Sequence, residues 1–221
     1  AQAGVKSVGE IGLGKIAEPK DARPMVEWAQ KYGMKVMIHC GGSSVPGSAT
    51  MGVEKIIQIG PDIVSHINGG PTAISMVEVD RIIRETSFAI EIVQCGNPRV
   101  AVEALKIAMT CGQLERVIIG NDAPSGTGVI PLGILRTLGL LCSFTDLQPE
   151  VSIALATGNT SKVHKLREGV VEEGRPADLV IMDSPMGSVG KDALESLKIG
   201  DIPSINMVMI DGEVRVRKSR N

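Results

Sequence analysis

Residues 62–98 read DIVSHINGGPTAISMVEVDRIIRETSFAIEIVQCGNP and contain two apolar strands joined by one helix. The first strand, DIVSHI, is followed by a glycine-rich loop, and Ser75 with Glu78 then forms the capping box that begins a helix. The second strand, FAIEIVQC, leads to Asn97 as a helix N-cap and to Pro98 at the first helical position. Strands of this kind alternating with helices predict a parallel sheet that is buried on both faces.

The same alternation continues on both sides of this stretch, through about the first 145 residues. On the N-terminal side, the strand VKSVGEIG precedes a helix from Pro19 to about Tyr32, and the strand KVMIH precedes a short helix near residues 52–59. On the C-terminal side, a helix to about Met109 precedes the strand RVIIG, and an apolar helix begins near Pro131. The sequence therefore predicts an α/β fold with five strands.

Four polar residues stand at the ends of these strands: Glu10, His39, His66 and Asp122. The gaps between them are 29, 27 and 56 residues, and one strand-plus-helix unit of a parallel sheet takes about 30 residues. The last gap therefore spans one additional unit, whose strand is FAIEIVQ. In a (β/α)8 barrel, functional groups converge where the strands end. We therefore predict a metal site built from carboxylates and imidazoles at one rim.

The composition argues against several classes of protein. The chain has 221 residues, 43% of them hydrophobic, with a net charge of -2 and only 2% aromatic residues. Nucleic acid and acidic membrane surfaces are therefore not expected as partners. No apolar run reaches the roughly 20 residues of a membrane span, and the N-terminus does not resemble a signal peptide, so we expect a cytoplasmic protein. The four cysteines form no C-x-x-C pair and are expected to be reduced.

The last quarter of the chain changes character. It reads RPADLVIMD, then an irregular stretch with two prolines, then INMVMI and EVRVRK separated by Asp211-Gly212. An Asp-Gly pair between two apolar, β-branched runs is a strong signal for a β-hairpin. A small β module is therefore predicted after the α/β part.

Five strands are too few for a closed barrel, which needs eight. An open parallel sheet would also leave unpaired edges, which favour aggregation. The sequence begins at Ala1, without an initiator Met and close to its first strand. We therefore expect it to be the C-terminal part of a longer protein. A flavodoxin-like open sheet of five strands is the alternative.

SHINGGPTAIS and GNDAPSGTG form a discriminating pair of motifs, and they are accompanied by VGEIGLG, VQCGNP, IPLGILR, ATGN and G-x-x-A-D-L-V-I-M-D. Together these motifs resemble the amidohydrolase superfamily, and especially its members that open a cyclic enamide. The resemblance covers nearly the whole chain. It implies that residues 1–168 supply strands four to eight of a (β/α)8 barrel with their helices. It also implies that residues 169–221 are part of a small composite β-sandwich domain.

The resemblance also implies roles for the strand-end residues. Glu10 matches the fourth-strand position that bridges two metal ions, and His39 and His66 match the ligands on strands five and six. Asp122 matches the eighth-strand aspartate, which is also a metal ligand and transfers the proton of the attacking water to the leaving nitrogen. The implied cofactor is one or two divalent ions, zinc or iron. The implied reaction is hydrolysis of a cyclic amide or enamide C–N bond by metal-activated hydroxide.

The first-strand H-x-H pair of the superfamily has no counterpart, because the only other histidine is His164. An N-terminal portion of the same protein is expected to supply that pair. Lys6 or Lys15 is the alternative carrier of a bridging carbamate, although Glu10 lies better at the strand end. Cys40 is expected to pack under a helix, because neighbours on a strand point to opposite faces. We interpret His164 as a surface or domain-junction residue.

The candidate substrate-binding residues are Gly70, Gln94, Cys95 and Ser125, which lie at or beyond the strand ends. The expected substrate is a small cyclic amide, and a homo-oligomer is expected. Two alternatives remain open at this point. One is a non-catalytic or incomplete partner portion, and the other is a different cyclic amidase, dihydroorotase-like or aminoacylase-like, because barrels of this kind host many chemistries.

Overall fold

The computed structural model of the protein describes residues 2–12, 18–43, 45–69, 73–124 and 128–217. The chain divides into two compact units, Ala1–Ile130 and Pro131–Asn221. In the described ranges, the first unit carries a sheet of five parallel strands and the second a sheet of three antiparallel strands. No helix within those ranges is both long and apolar enough to cross a membrane.

The first unit alternates strands and helices along the described chain. Its elements are β1 Ser7–Ile11, α1 Pro19–Lys31, β2 Lys35–Ile38, α2 Val53–Ile59, β3 Ile63–Val64, α3 Met76–Glu85, β4 Ala89–Val93, α4 Pro98–Thr110, a 3₁₀ turn Leu114–Arg116 and β5 Val117–Gly120. The strands lie in the order β1-β2-β3-β4-β5. The predicted α/β fold with five parallel strands is thus confirmed. The flavodoxin-like alternative is wrong, because a sheet in simple chain order lacks the reversal of that topology.

The helix starts in the first unit follow the predicted caps. The Ser75 hydroxyl accepts a hydrogen bond from the Glu78 main-chain N–H, and the Glu78 carboxylate accepts one from the Ser75 N–H, so the capping box is confirmed. The Asn97 side chain accepts hydrogen bonds from the main-chain N–H groups of Arg99 and Val100. These caps satisfy N–H groups that have no partner inside the helix, and they fix where each helix begins after a strand.

The core of the first unit is formed by the strands of the sheet and the apolar faces of its helices. In β4, every residue except Glu91 is buried, as expected for a strand covered on both faces. The covering helix α3 buries Val79, Ile82 and Ile83. Burial of each such side chain contributes about 1.5–3 kcal/mol. The apolar strands predicted from the sequence are therefore the centre of this unit.

The second unit begins with three helices and ends with a small sheet. Its elements are α5 Gly133–Phe144, α6 Pro149–Ala156, α7 Gly158–His164, β6 Leu179–Asp183, α8 Ala193–Ile199, β7 Ser204–Ile210 and β8 Glu213–Arg217. The three strands lie in the order β6-β7-β8. The predicted hairpin is confirmed, because β7 and β8 are antiparallel neighbours joined by Asp211 and Gly212. Both turn residues have a positive φ, 51° and 77°, as a type I′ turn requires.

Two details of the second unit differ from the prediction. The stretch expected to be irregular contains helix α8, which begins where the Asp192 side chain accepts hydrogen bonds from two main-chain N–H groups and ends at Gly200. Its N-cap and its C-terminal glycine are sequence signals that the flanking prolines obscured. A second difference is the short helix α7, which was not predicted and which ends at His164. The domain boundary between residues 168 and 169 stays a prediction.

Candidate metal centre

The four strand-end residues all belong to the parallel sheet. Glu10 is the second-last residue of β1, and His39 directly follows β2. His66 lies just beyond β3, and Asp122 just beyond β5. Because neighbouring parallel strands end at the same edge of a sheet, the chain brings these residues to one rim.

Three of the four residues form a compact cluster. The His39 Nδ1 and His66 Nε2 atoms each lie 2.7 Å from Glu10 Oε1. The two ring nitrogens are 3.0 Å apart, and the two rings meet edge to face. Both histidines are buried and Glu10 is half-buried. One carboxylate oxygen and two imidazole nitrogens thus point at a common centre, a donor set that fits a borderline divalent cation such as zinc or ferrous iron.

The orientation of His39 is set by a contact outside the cluster. Its Nε2 atom lies 2.9 Å from the carbonyl oxygen of Gly42. A carbonyl only accepts, so Nε2 carries a proton and Nδ1 is the ring nitrogen that faces the cluster. In His66 the other ring nitrogen, Nδ1, is buried and has no hydrogen-bond partner among the described residues. An unpartnered polar atom at this position is consistent with a site that takes up a further group.

The cluster shifts the pKa values of its members. Burial acts to raise the pKa of Glu10, but hydrogen bonds from His39 and His66 outweigh it and lower this pKa to about 2. Burial acts to lower the pKa of His66, but contacts with Cys40 and Glu10 outweigh it and raise this pKa to about 10. A carboxylate and a charged imidazole at this distance compensate each other's charge. A cation entering the site would displace that proton.

Asp122 is not part of the three-residue cluster. Its carboxyl group is nevertheless close enough to be influenced by the charges of all three members. Burial raises the pKa of Asp122, His66 and His39 act against this rise, and Glu10 adds to it. A raised pKa makes a carboxylate a better proton acceptor near neutral pH. Asp122 therefore lies beside the cluster, within range of its charges.

His66 and Asp122 share an uncommon backbone conformation. Their φ angles are 34° and 52°, in the left-handed region that L-residues seldom adopt. Such conformations cost about 1–3 kcal/mol each, and they persist only where surrounding contacts enforce them. The contacts around His66 and Asp122 thus hold both residues in a backbone conformation that is unfavourable for L-residues. Such residues are common at functional sites.

Two residues near the cluster were not identified as functional from the sequence. Cys40 is fully buried as expected, but its Sγ lies 3.6 Å from the His66 carbonyl oxygen. Glu91, in the middle of β4, accepts hydrogen bonds from the Ser65 hydroxyl and the His66 N–H. The available signal was a single carboxylate inside the otherwise apolar strand FAIEIV, since a charge in such a strand requires partners.

The candidate substrate-binding residues divide into two groups. Gln94 and Cys95 directly follow β4, and their main-chain N–H groups donate to the carbonyl groups of Gly120 and Asn121. They therefore lie at the same edge of the sheet as the cluster. Gly70 and Ser125 lie outside the described residues.

The alternative bridging groups and His164 were also located. Lys6 is exposed and precedes β1, a less suitable place for a bridging ligand than that of Glu10. Lys15 lies outside the described residues. His164 belongs to the second unit, at the end of α7.

The family of the chain follows from its sequence. The profile of the amidohydrolase family matches residues 63–215. The chain belongs to this family, which confirms the resemblance inferred from the motifs. Over 218 residues the chain is 58% identical to enamidase from Eubacterium barkeri, a match that covers 99% of this chain and 56% of the relative.

Solved structures agree with this assignment. A crystal structure of enamidase superimposes with a TM-score of 0.92 and covers 97% of this chain and 56% of that chain. A β-aspartyl dipeptidase from Fervidobacterium islandicum AW-1 superimposes with a TM-score of 0.66 over 96% of this chain and 58% of that chain. The dipeptidase is only 15% identical, so it shows a likeness of fold alone. The chain spans a little over half the length of these relatives.

Proposed function

We propose that this chain is the metal-binding C-terminal portion of a hydrolase that opens the C–N bond of a cyclic amide, with a cyclic enamide as the substrate class. The observation that carries the proposal is the convergence of Glu10, His39 and His66, whose ligand atoms lie within 4.8 Å of one another. The 58% identity to enamidase supports the substrate class. The cluster keeps its donor atoms together, which argues against a non-catalytic remnant.

Glu10, His39 and His66 would hold one or two divalent ions, zinc or iron. When bound, such an ion supplies positive charge that polarises an amide carbonyl and increases the acidity of water. Glu10 contributes a carboxylate that stays ionised at neutral pH because its pKa is low. The hydrogen bond from His39 to Gly42 keeps the His39 Nδ1 atom directed at the centre. These residues therefore bind and orient, and they do not transfer protons themselves.

Asp122 would carry the proton transfer, as a further metal ligand or beside the cluster. The oxygen of water forms a bond to the amide carbon, and its proton passes to the Asp122 carboxylate. The same proton then moves to the ring nitrogen as the C–N bond breaks. The products are a carboxylic acid and a free amine or enamine. Gln94 and Cys95, at the neighbouring strand end, are placed to contact the substrate, and we assign the same role to Gly70 and Ser125.

The architecture proposed for the whole protein follows the family. The five parallel strands would be strands four to eight of a (β/α)8 barrel within residues 1–168. The three-stranded sheet would belong to a composite β-sandwich that includes residues 169–221. An N-terminal portion would supply the H-x-H pair that completes the metal site. We also propose a cytoplasmic homo-oligomer that uses neither nucleic acid nor membrane as a partner.

The test uses the full-length protein. Its turnover is measured on a small cyclic enamide and, as a matched substrate, on the corresponding saturated lactam. We expect ring opening of the enamide, which is measured as the loss of the ring absorbance. We also expect this activity to disappear after the metal is removed with a chelator and to return when zinc or ferrous iron is added.

Two results would contradict the proposal. Undiminished turnover after complete removal of metal would exclude a metal-dependent mechanism. If the metal-loaded protein hydrolyses neither substrate, cyclic amides are excluded as the substrate class, and another reaction of the family is favoured.

A further inference from the structure

The carboxylate of Glu91 is a polar group placed inside the apolar centre of the parallel sheet. Its strand neighbours in β4 are all buried and apolar. The Ser65 hydroxyl donates to Glu91 Oε2 over 2.5 Å, and the His66 main-chain N–H donates to the same oxygen over 3.4 Å. One carboxylate oxygen thus receives both donors, which its lone pairs allow. Glu91 thereby links β4 to the residues that follow β3.

The neighbouring strand leaves room for this side chain. A Cβ atom added at Gly120, the last residue of β5, would lie 2.3 Å from Glu91 Oε1 and 2.9 Å from Cδ. Contacts this short do not occur in folded proteins, so any side chain at position 120 would displace the carboxylate. The sequence therefore combines a half-buried carboxylate on β4 with a glycine on β5. The absence of a side chain at position 120 leaves the space that the Glu91 carboxylate occupies.

Glu91 contacts the main chain at His66, a residue with an uncommon backbone conformation. His66 has a φ of 34°, and its N–H group faces Glu91. The His66 carbonyl accepts a hydrogen bond from the Gly69 N–H over 2.7 Å and lies 3.6 Å from the Cys40 Sγ. The main-chain carbonyl of Glu91 accepts a further bond from the Ile67 N–H over 2.9 Å. The peptide groups on both sides of His66 are therefore held, and Glu91 of β4 contacts each of them.

We infer that Glu91 is a positioning residue that fixes the main chain of Ser65 and His66, and through it the place of the His66 imidazole in the metal centre. The inference rests on the proposed function, because it assigns His66 to a metal site. In the described contacts, Glu91 meets the cluster through the main-chain N–H of His66. It acts on the site by holding the residue that presents Nε2 to Glu10 at 2.7 Å.

The experiment measures binding of cobalt(II) to the metal-free full-length protein, because cobalt bound by imidazole and carboxylate absorbs visible light. Supporting contacts of metal ligands change metal affinity by roughly 10–100-fold when they are removed. We expect a loss of this size in Glu91→Ala and a loss of about 10-fold in Ser65→Ala, with an altered cobalt spectrum in both. Glu91→Gln keeps an acceptor oxygen of the same reach, and it should restore affinity to within a few-fold of the wild type.

The matched control is Glu103→Gln, which neutralises an exposed carboxylate on α4 that pairs only with the neighbouring Lys106 among its described contacts. This variant should bind cobalt as the wild type does. Melting temperatures are recorded for every protein. If Glu91→Ala does not fold, Ser65→Ala and Glu91→Gln decide the question, because both preserve the packing of the sheet.

The inference would be overturned if Ser65→Ala and folded Glu91→Ala both bound cobalt with the affinity and spectrum of the wild type, even at a lowered melting temperature. Glu91 would then have only a structural role, and the proposed metal centre would stand. A wild-type protein that binds no cobalt, zinc or iron would overturn the proposed metal centre, and the inference with it. The two failures are therefore distinguishable.

Discussion

The parallel sheet of the first unit and the antiparallel sheet of the second differ in how deeply their strands are buried. Four of the five residues of β4 are buried, whereas three of the five residues of β6 are exposed. Each residue of the candidate metal centre lies at or just beyond the end of a strand in the parallel sheet. In the described part of the second unit, the strand ends carry no comparable cluster.

Burial explains this difference. At the end of a buried strand, polar side chains lose water, interact strongly with one another and acquire shifted pKa values. Glu10 and His66 show these effects, with pKa values of about 2 and about 10. Asp183 ends β6 in an exposed position, where its carboxylate accepts a bond from the adjacent Ser184 N–H. A carboxylate at a strand end therefore has a different environment in the two sheets, half-buried beside histidines in the first and exposed in the second.

The contrast in burial can be tested by the same substitution in both sheets. Ile92 in β4 is 1% exposed and Ile181 in β6 is 49% exposed. In the full-length protein, Ile92→Ala should lower the free energy of unfolding by about 2–5 kcal/mol, since it removes buried methyl groups and leaves a cavity. Ile181→Ala should cost less than about 1 kcal/mol. Chemical denaturation measures both. Equal losses would contradict the difference in burial.

The contrast in chemistry can be tested with strand-end aspartates. Asp122→Asn keeps the size of the side chain but removes its ability to accept the proton. We expect kcat of the full-length protein to fall by at least roughly 100-fold, the lower range for loss of a general base, equivalent to about 2.7 kcal/mol. The control Asp183→Asn should leave kcat unchanged. Unchanged turnover in Asp122→Asn, with a retained fold, would exclude Asp122 from proton transfer.

The tightness of the rim of the parallel sheet can be tested at Gly12. This glycine has a φ of 130°, and a Cβ there would lie 2.9 Å from the His39 Cβ and 3.2 Å from the Met51 Cγ. Gly12→Ala should therefore cost about 1–3 kcal/mol of stability and should lower metal content. In Gly9→Ala the added Cβ meets nothing within 4 Å, so stability should stay the same or rise slightly. Equal behaviour of the two variants would refute a crowded rim.

The smallest effect concerns a helix cap and depends on pH. The Glu78 carboxylate accepts hydrogen bonds from the Ser75 and Val53 N–H groups. Burial acts to raise the pKa of Glu78, but the hydrogen bond from the Ser75 hydroxyl, those from the two main-chain N–H groups and the charge of Arg81 outweigh it and lower this pKa from its usual 4.5. Because the folded-state pKa is depressed, this contribution is present above pH 4.5 and is lost as the pH falls below that value.

Glu78→Gln should therefore cost about 1 kcal/mol near pH 7, the usual value of a cap, and the difference from the wild type should shrink below pH 4.5. Glu150→Gln changes an acidic residue in the first turn of α6 in the second unit, and it should cost less than about 0.5 kcal/mol. Denaturation curves at several pH values measure both variants. A difference for Glu78→Gln that does not change with pH would contradict the ionised cap.

Much of the fold could be predicted because its signals are local. The capping box at Ser75, the N-cap at Asn97 and the Asp211-Gly212 turn each depend on a few neighbouring residues, and the structure contains all three. Helix α8 was missed although its cap is equally local, because the prolines on either side suggested an irregular segment. The grouping of Glu10, His39 and His66 was predicted from strand spacing, since parallel strands end at one edge.

The sequence by itself determined the five strands, their helices and the residues that stand at the strand ends, because hydrophobic period and capping are properties of short segments. Only the tertiary structure decided which atoms meet. Asp122 lies outside the three-residue cluster. The His39 ring is oriented by its contact with the Gly42 carbonyl. The Glu91 carboxylate contacts the Ser65 hydroxyl and occupies the space beside Gly120. These contacts join different strands, so they depend on register and packing, which no single segment encodes.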